Sequence, residues 1–277
     1  MVKAESINLL GFDIFVRHRI KEGGGPPVLF LPGEGESGRC FFDAFGLLKN
    51  SSLIVPDLLG FGRSQKVETD KDANYSLPHQ VEIMFALIGH FGLDEVFVVG
   101  HSYGGVLGTY MCRDDGAGII KKLVNAEGCI ARETLLESSN AVNALKDCGY
   151  DMAKFGYWLC EGGFKKGALE DFESASTIKY YDSVIECDPA AFAKTAAELV
   201  DRAAGEDKDG NNEISEAYRD LKVRRVYCAG ARPVMNSTKG YITANGLDLR
   251  EFSMPSHWIM LDNREEFYAF VDGYLRS

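Results

Sequence analysis

The sequence predicts an α/β protein: a mostly parallel sheet of about eight strands flanked by helices, with a helical cap insertion. Three observations predict this. Short, continuously apolar runs of the kind buried in parallel sheets alternate with helix-like stretches. One such run, Val96-Phe97-Val98-Val99, stops at Gly100-His101-Ser102-Tyr103-Gly104-Gly105, and a helix-like stretch from Val106 to Met111 follows at once. The alternation breaks only once, over residues 130–220, where helix-like stretches replace buried strands.

Taken in order, Ser6 to Leu10 and Phe12 to Arg19 read as two strands joined at Gly11, an antiparallel pair. The third strand is Pro27-Val-Leu-Phe-Leu-Pro32-Gly33, short and apolar throughout. Phe41 to Leu48 reads as a helix and Ser52 to Asp57 as the fourth strand. Leu77 to Phe91 is helical: Ser76 suits the N-cap, Pro78 suits the first turn, and Val81, Met84, Phe85 and Ile88 form an apolar stripe at helical spacing. Val96 to Val99 and Ile120 to Ala126 are the fifth and sixth strands. Beyond the insertion come Val223 to Ala229, Asp248 to Ser253 and a closing helix from Arg264 to Leu275. Residues 1–129 and 221–277 thus make the main domain, and 130–220 the cap.

Composition narrows the class of function. The formal net charge is −11 and no Lys/Arg-rich run interrupts it, which argues against nucleic acid or an anionic membrane as partner. No apolar run approaches the ~20 residues of a membrane span. The segment from Met1 to Ser6 has no charged-then-apolar leader pattern, so a cytoplasmic location is expected. Seven cysteines, an odd number without a Cys-x-x-Cys pair, read as reduced thiols; Cys112, Cys129 and Cys228 lie in or beside apolar runs. Nothing in their spacing calls for a metal.

The chemistry starts at Ser102. In a strand–turn–helix this tight, a side chain at Gly100 or Gly104 would strike neighbouring backbone. The strained turn lifts the serine hydroxyl clear of its neighbours at a helix N-terminus, the setting of a nucleophile. A serine hydroxyl needs a base to take its proton, and histidine suits that task near neutral pH. His18, His79, His90, His101 and His257 are the choices, and only His257 follows the last strand.

Together these landmarks resemble the α/β-hydrolase superfamily over nearly the whole chain. Leu31-Pro32-Gly33-Glu34-Gly35 follows the third strand and Asp57-Leu-Leu-Gly60-Phe-Gly62-Arg-Ser64 the fourth. Ser102 follows the fifth, and Pro255-Ser256-His257-Trp258 the last. The family's chain order of serine, acid, histidine implies that His257 is the base. The other four histidines are expected to be hydrogen-bonded structural residues.

The acid departs from the usual pattern. The family commonly places an Asp just after the seventh strand, but Gly230 to Asn236 contains no carboxylate. Glu127 emerges where the sixth strand ends, beside the nucleophile strand and at the sheet edge where catalytic groups gather. The haloalkane-dehalogenase branch is similar in placing its acid there, which implies a Ser102–His257–Glu127 triad. Asp248 and Asp262 are fallback acids. The resemblance further implies an oxyanion hole from the backbone N–H groups of Tyr103 and Glu34. Glu34 and Glu36 are expected to be solvated at the mouth; pointing inward, either would disfavour anionic substrates.

The cap holds Phe155, Tyr157, Trp158, Phe164, Phe172, Tyr180, Tyr181 and Phe192. Some must pack it onto the main domain, and others can line an apolar pocket, with Phe155, Tyr157, Trp158 and Trp258 the candidates. The stretch from Asp207 to Tyr218 looks like part of a calcium loop but has Asn212 and Tyr218 where Gly and a bidentate Glu are needed, so a polar turn is expected. No cofactor or metal is called for. The expected activity is hydrolysis of a small carboxylic ester with an apolar portion. Lactone, amide, thioester or carbon–carbon cleavage, a lyase on the same triad, and a receptor-like binding protein stay open. Dehalogenase and epoxide-hydrolase chemistry is disfavoured, because those branches use Asp where this chain has Ser102.

Overall fold

The computed structural model describes residues 1–23, 25–67, 74–171 and 175–277. The chain opens with β1 (Lys3–Leu9), β2 (Phe12–Arg19) and β3 (Val28–Leu31), then the short α1 (Ala44–Leu47), β4 (Leu53–Pro56) and α2 (Leu77–His90). β5 (Val96–His101), α3 (Tyr103–Asp114) and β6 (Ile120–Ala126) follow. Next come α4 (Leu136–Asp147), α5 (Met152–Cys160), α6 (Gly163–Asp171), α7 (Ala175–Val184), α8 (Pro189–Arg202) and α9 (Glu213–Asp220). β7 (Arg224–Ala229), α10 (Asn236–Ala244), β8 (Leu249–Glu251), α11 (Ile259–Asp262) and α12 (Arg264–Arg276) complete the chain.

The eight strands form one sheet in the order β1-β2-β4-β3-β5-β6-β7-β8. β2 runs antiparallel to both its neighbours, and every other pairing is parallel. The central strands are apolar along their length because both faces are covered; all four residues of β3 and of β4 are buried. The α2 prediction holds in its details: Ser76 Oγ accepts from the His79 N–H at 3.4 Å, Pro78 sits in the first turn, and Val81, Met84 and Ile88 are buried. The helix expected over Phe41 to Leu48 is instead a one-turn 3-10 segment, Gly38–Phe41, followed by α1. The Gly38 N–H is tied to Asp57 Oδ1 at 2.7 Å, which bends the chain early and turns Phe41 and Phe45 inward while Phe42 is exposed.

Asp57 explains the turn after β4. Its buried carboxylate accepts from Arg17 (2.6 Å), from the Gly38 N–H and from the Arg63 N–H (2.8 Å). Ser64 Oγ donates to the Asp57 carbonyl at 2.6 Å and accepts from the Phe15 N–H at 2.9 Å, stitching the turn to β2. Gly62, at φ 49°, leaves no room for a Cβ, which would lie 2.4 Å from Asp57 Oδ2. Asp57→Ala strands Arg17 in the interior, so it should cost about 3–5 kcal/mol of stability. A urea midpoint within error of wild type would contradict this.

Between β6 and β7 the described residues are helical or irregular, with no strand. α4 to α8 lie over the carboxyl edge of the sheet, where Glu34 meets Ser138 of α4 and Thr195 of α8. α9 packs instead on α3, through Tyr110 Oη donating to Glu213 at 2.8 Å. The Asp207 loop folds as a polar turn that caps α9. Asp207 Oδ1 accepts from the Asp209 and Asn211 N–H groups (both 2.9 Å), and the Asn212 side chain accepts from Ile214 and Ser215. Among the described residues no helix is long and apolar enough to cross a membrane.

Candidate active site

Register brings the candidates together. Leu31 pairs with Gly100, His101 with Ala126, Ala126 with Cys228 and Ala229 with Glu251, so β3, β5, β6, β7 and β8 all end at one edge. Glu34, Ser102, Glu127, Arg232 and His257 sit in the loops leaving that edge, where ligands of parallel sheets bind.

Ser102 has φ 50° and ψ −120°, a strained conformation for a non-glycine residue. Two glycines make it possible. A Cβ on Gly100 would lie 2.1 Å from the Gly104 carbonyl oxygen, and one on Gly104 would lie 2.0 Å from the Leu31 carbonyl oxygen. Crossing strand and helix this closely leaves Ser102 at the first turn of α3, its N–H bound to the Ala126 carbonyl at 3.0 Å. Asn125, buried beneath, accepts from the Gly128 N–H at 2.9 Å and donates to the Gly105 carbonyl at 3.3 Å. It thereby fixes the end of β6 against the elbow.

Glu127 also has positive φ, 55°, and its N–H bonds the Cys228 carbonyl at 2.9 Å. This kink turns the side chain along the sheet edge rather than up into the cap. The carboxylate is fully buried and lies 3.2 Å from His257 Nδ1. It also accepts from the Gly230 N–H at 2.5 Å and from Arg232 at 2.6 Å. Burial alone would raise its pKa; the His257 and Arg232 contacts outweigh that and hold it below the usual carboxylate range. The fallback acids are elsewhere. Asp262 is bonded to Ser176 and Ser256, and Asp248 lies at the amino end of β8, opposite the site.

Arg232 is the group that sequence reading passed over. It stands in the loop where an acid was sought, and its Nη2 lies 2.9 Å from His257 Nδ1 as well as 2.6 Å from Glu127. Donation from Arg232 requires a bare Nδ1, whereas Glu127 requires a protonated one, so the two compete for the tautomer. Burial, the Arg232 charge and nearby His101 lower the His257 pKa, outweighing Glu127, which raises it. With His257 as the base, which must be neutral to work, activity should rise with pH along a limb whose midpoint lies below the ordinary histidine value. Arg232→Met removes a lowering charge and should move that acid limb of kcat/KM to higher pH. A limb that stays in place would contradict the assignment.

Behind the serine lies a second buried network. Glu36 accepts from the Gly33 N–H (2.6 Å) and from Trp258 Nε1 (2.8 Å), and a carboxylate oxygen lies 3.0 Å from His101 Nδ1. His101 Nε2 lies 2.9 Å from the His257 carbonyl oxygen. His101 is thus a hydrogen-bonded structural residue, as expected, and it anchors the loop that carries His257. Burial raises the Glu36 pKa, but His101 and the Gly33 N–H overcome that and keep it low.

The expectation that Glu34 and Glu36 are solvated is corrected: they are 8% and 2% exposed. α4 and α8 cover the loop after β3, and their Ser138 and Thr195 hydroxyls reach down to Glu34 at 2.8 and 2.7 Å. Gly33 brings this loop against Ser102, since a Cβ there would lie 3.1 Å from Ser102 Cβ. That puts the backbone after Gly33 beside Ser102.

A small cavity of about 50 Å³ opens on Ser102 and His257, walled by Glu34, Cys129, Ser138, Tyr180 and Trp258 among others. Cys129 Sγ lies 4.0 Å from Ser102 Oγ. Burial and Glu34 push its pKa up to about 12, so it sits beside the serine as a neutral thiol. Of the pocket candidates, Trp258 is on the cavity wall, and Trp158 lines an adjoining groove of about 400 Å³. Two are corrected. Phe155 is wholly buried and stacks on Trp158 at 5.5 Å, and Tyr157 is 68% exposed on the outer face of α5. Helical phase puts these neighbours on opposite sides of α5, and neither faces the cavity. Tyr180 takes their place; Phe172 lies outside the described residues.

The geometry defines a protein with a serine elbow and a histidine–carboxylate pair at the carboxyl edge of a parallel sheet. The profile of the alpha/beta hydrolase family matches residues 28–270, and the chain belongs to that family. It is similar to "Epoxide hydrolase 2" of Siraitia grosvenorii, with 34% identity over 112 residues, 39% of this chain and 34% of that one. Across the curated relatives it matches, the chain spans about a quarter to a half of their length. Among solved structures, a hydrolase from Pseudomonas aeruginosa PA01 shares the fold with a TM-score of 0.75 at 16% identity, covering 100% of this chain and 98% of that one. An esterase from Exiguobacterium antarcticum has a TM-score of 0.73 at 19% identity, covering 99% and 100%.

Proposed function

We propose that the protein is a serine hydrolase that cleaves a small carboxylic ester through an acyl-enzyme on Ser102. The observation that carries this is Ser102 held at φ 50° over the same cavity as His257, with a buried Glu127 carboxylate 3.2 Å from His257 Nδ1. In this reading Ser102 Oγ attacks the ester carbonyl carbon and its proton passes to His257. The tetrahedral oxyanion is held by the N–H groups of Tyr103 and Glu34. Collapse breaks the carbonyl–alkoxy bond, and His257 gives the proton to the departing alcohol. Water, deprotonated by His257, then attacks the acyl carbon and frees the acid and the serine. Glu127 balances the imidazolium charge in both steps.

The similarity to epoxide hydrolases supports membership of the hydrolase family more than it supports epoxide chemistry. A serine oxygen opening an epoxide would form an alkyl ether, which the same site has no carbonyl chemistry to hydrolyse. Ser102 therefore favours acyl substrates, with lactones, thioesters and amides as variants of the same reaction. The receptor-like reading predicts binding without turnover. Hydrolysis of p-nitrophenyl acetate separates the two, together with labelling of Ser102 by a fluorophosphonate. Turnover and labelling are expected; neither occurring would leave the receptor-like reading.

A further inference from the structure

Glu34 has a buried carboxyl that the proposed reaction does not use; only its backbone N–H has a role there. We propose that this carboxyl and the ring faces of Tyr180 and Trp258 select substrates bearing a single positive charge. The inference rests on the serine-hydrolase reading and names the substrate class of that site.

Each Glu34 oxygen accepts one hydroxyl, from Ser138 at 2.8 Å and from Thr195 at 2.7 Å. A carboxylate oxygen has about two acceptor positions, so one on each remains for a ligand. Glu36, on the same wall, is already engaged by Gly33, His101 and Trp258. No lysine or arginine is among the described residues that line the cavity. Burial, opposed by the two hydroxyls and reinforced by the nearby Glu137 charge, raises the Glu34 pKa to about 7. A cation entering the cavity would draw that proton off and stabilise the carboxylate.

The aromatic pair supplies the rest. The Tyr180 and Trp258 ring centroids are 5.2 Å apart, and both residues line the nucleophile's cavity and the adjoining groove of about 400 Å³. Glu137 lines both, and the groove adds Asp147, Trp158 and Phe164, with no basic residue among the described residues that line it. Faces of aromatic rings attract cations, quaternary ammonium groups above all. On the other side of Tyr180 a groove of about 550 Å³ carries Arg17, Arg39, Arg63 and Lys179. Arg17 is bound to Asp57 and Arg39 to Glu186, Asp43 and Asp182 line the same groove, and Glu36 stands on the wall it shares with the cavity of Ser102. An ionised Glu34 also opposes the developing oxyanion, and a substrate cation removes that opposition.

The test compares three acetate esters that differ at one group: acetylcholine, 3,3-dimethylbutyl acetate and 3-acetoxypropanoate, which are cationic, neutral and anionic. Acetylcholine should have a kcat/KM roughly tenfold above the neutral ester, with the anionic ester slowest. Because cation binding favours ionised Glu34, the advantage should grow as pH rises through about 7. Glu34→Gln should collapse the cationic-to-neutral ratio toward one. In parallel, choline but not 3,3-dimethylbutanol should slow fluorophosphonate labelling of Ser102. Labelling of Ser102 with equal rates for the cationic and neutral esters, a ratio unmoved in Glu34→Gln, or no protection by choline overturns the inference and leaves the serine-hydrolase reading. No hydrolysis of any ester and no labelling overturns both.

Discussion

Ser102→Ala is expected to lower ester turnover by about 10⁵-fold or more while leaving stability within about 0.5 kcal/mol of wild type. The hydroxyl is the only group removed, and the acyl-enzyme cannot form without it. The fold should not notice. The strain at φ 50° belongs to the backbone crossing between β5 and α3, and the bonds that hold it run through the main chain, from the Ser102 N–H to Ala126 and from Gly105 to the Ser102 carbonyl. Initial rates with p-nitrophenyl acetate and a urea titration check both halves. Activity within a few-fold of wild type would remove Ser102 as nucleophile.

Glu127→Gln should lower kcat by about 10³- to 10⁴-fold. The amide is isosteric and can still accept from the Gly230 N–H, so the loop after β7 keeps its place. What it cannot do is balance an imidazolium. It also leaves Arg232, 2.9 Å from Nδ1, free to favour the tautomer with the proton on Nε2, which has no lone pair for the serine proton. Asp248→Asn, at the far end of β8, should change little and serves as the control. Comparable losses in both variants, or a near-normal Glu127→Gln, would move the acid elsewhere.

Much of this site can be read in the sequence because its parts are set by local backbone demands. Gly100 and Gly104 have neighbours that exclude a Cβ, and such positions announce themselves as glycine around a reactive serine. The parallel strands are short apolar runs, so the order of their carboxyl ends follows from chain order alone. The stretch after β7 holds no carboxylate, which makes Glu127 the candidate acid, and its carboxylate lies 3.2 Å from His257 Nδ1.

What stayed hidden depends on side chains meeting across distant segments. Arg232 lies in the loop searched for an acid, yet nothing local says that its guanidinium turns back on Glu127. Glu34 is covered by Ser138 of α4 and Thr195 of α8, and Glu36 by Trp258 in the loop after β8, all residues more than a hundred positions away. Two acidic residues in a Gly-rich loop look solvated until that cover is known. Tyr157 and Phe155 were misplaced because the phase of a nine-residue helix fixes which aromatic faces inward, and α5 is too short for periodicity to show it.

The central claim is that Ser102 forms the covalent intermediate with His257 and Glu127 behind it. The most direct measurement is peptide mapping by mass spectrometry after rapid acid quench of the enzyme turning over p-nitrophenyl acetate. The account predicts a single acetyl group on the peptide containing Ser102, absent in Ser102→Ala and strongly reduced in its rate of formation in Glu127→Gln. An acetyl group on Cys129 or another residue with Ser102 unmodified, or turnover that persists in Ser102→Ala, would contradict it.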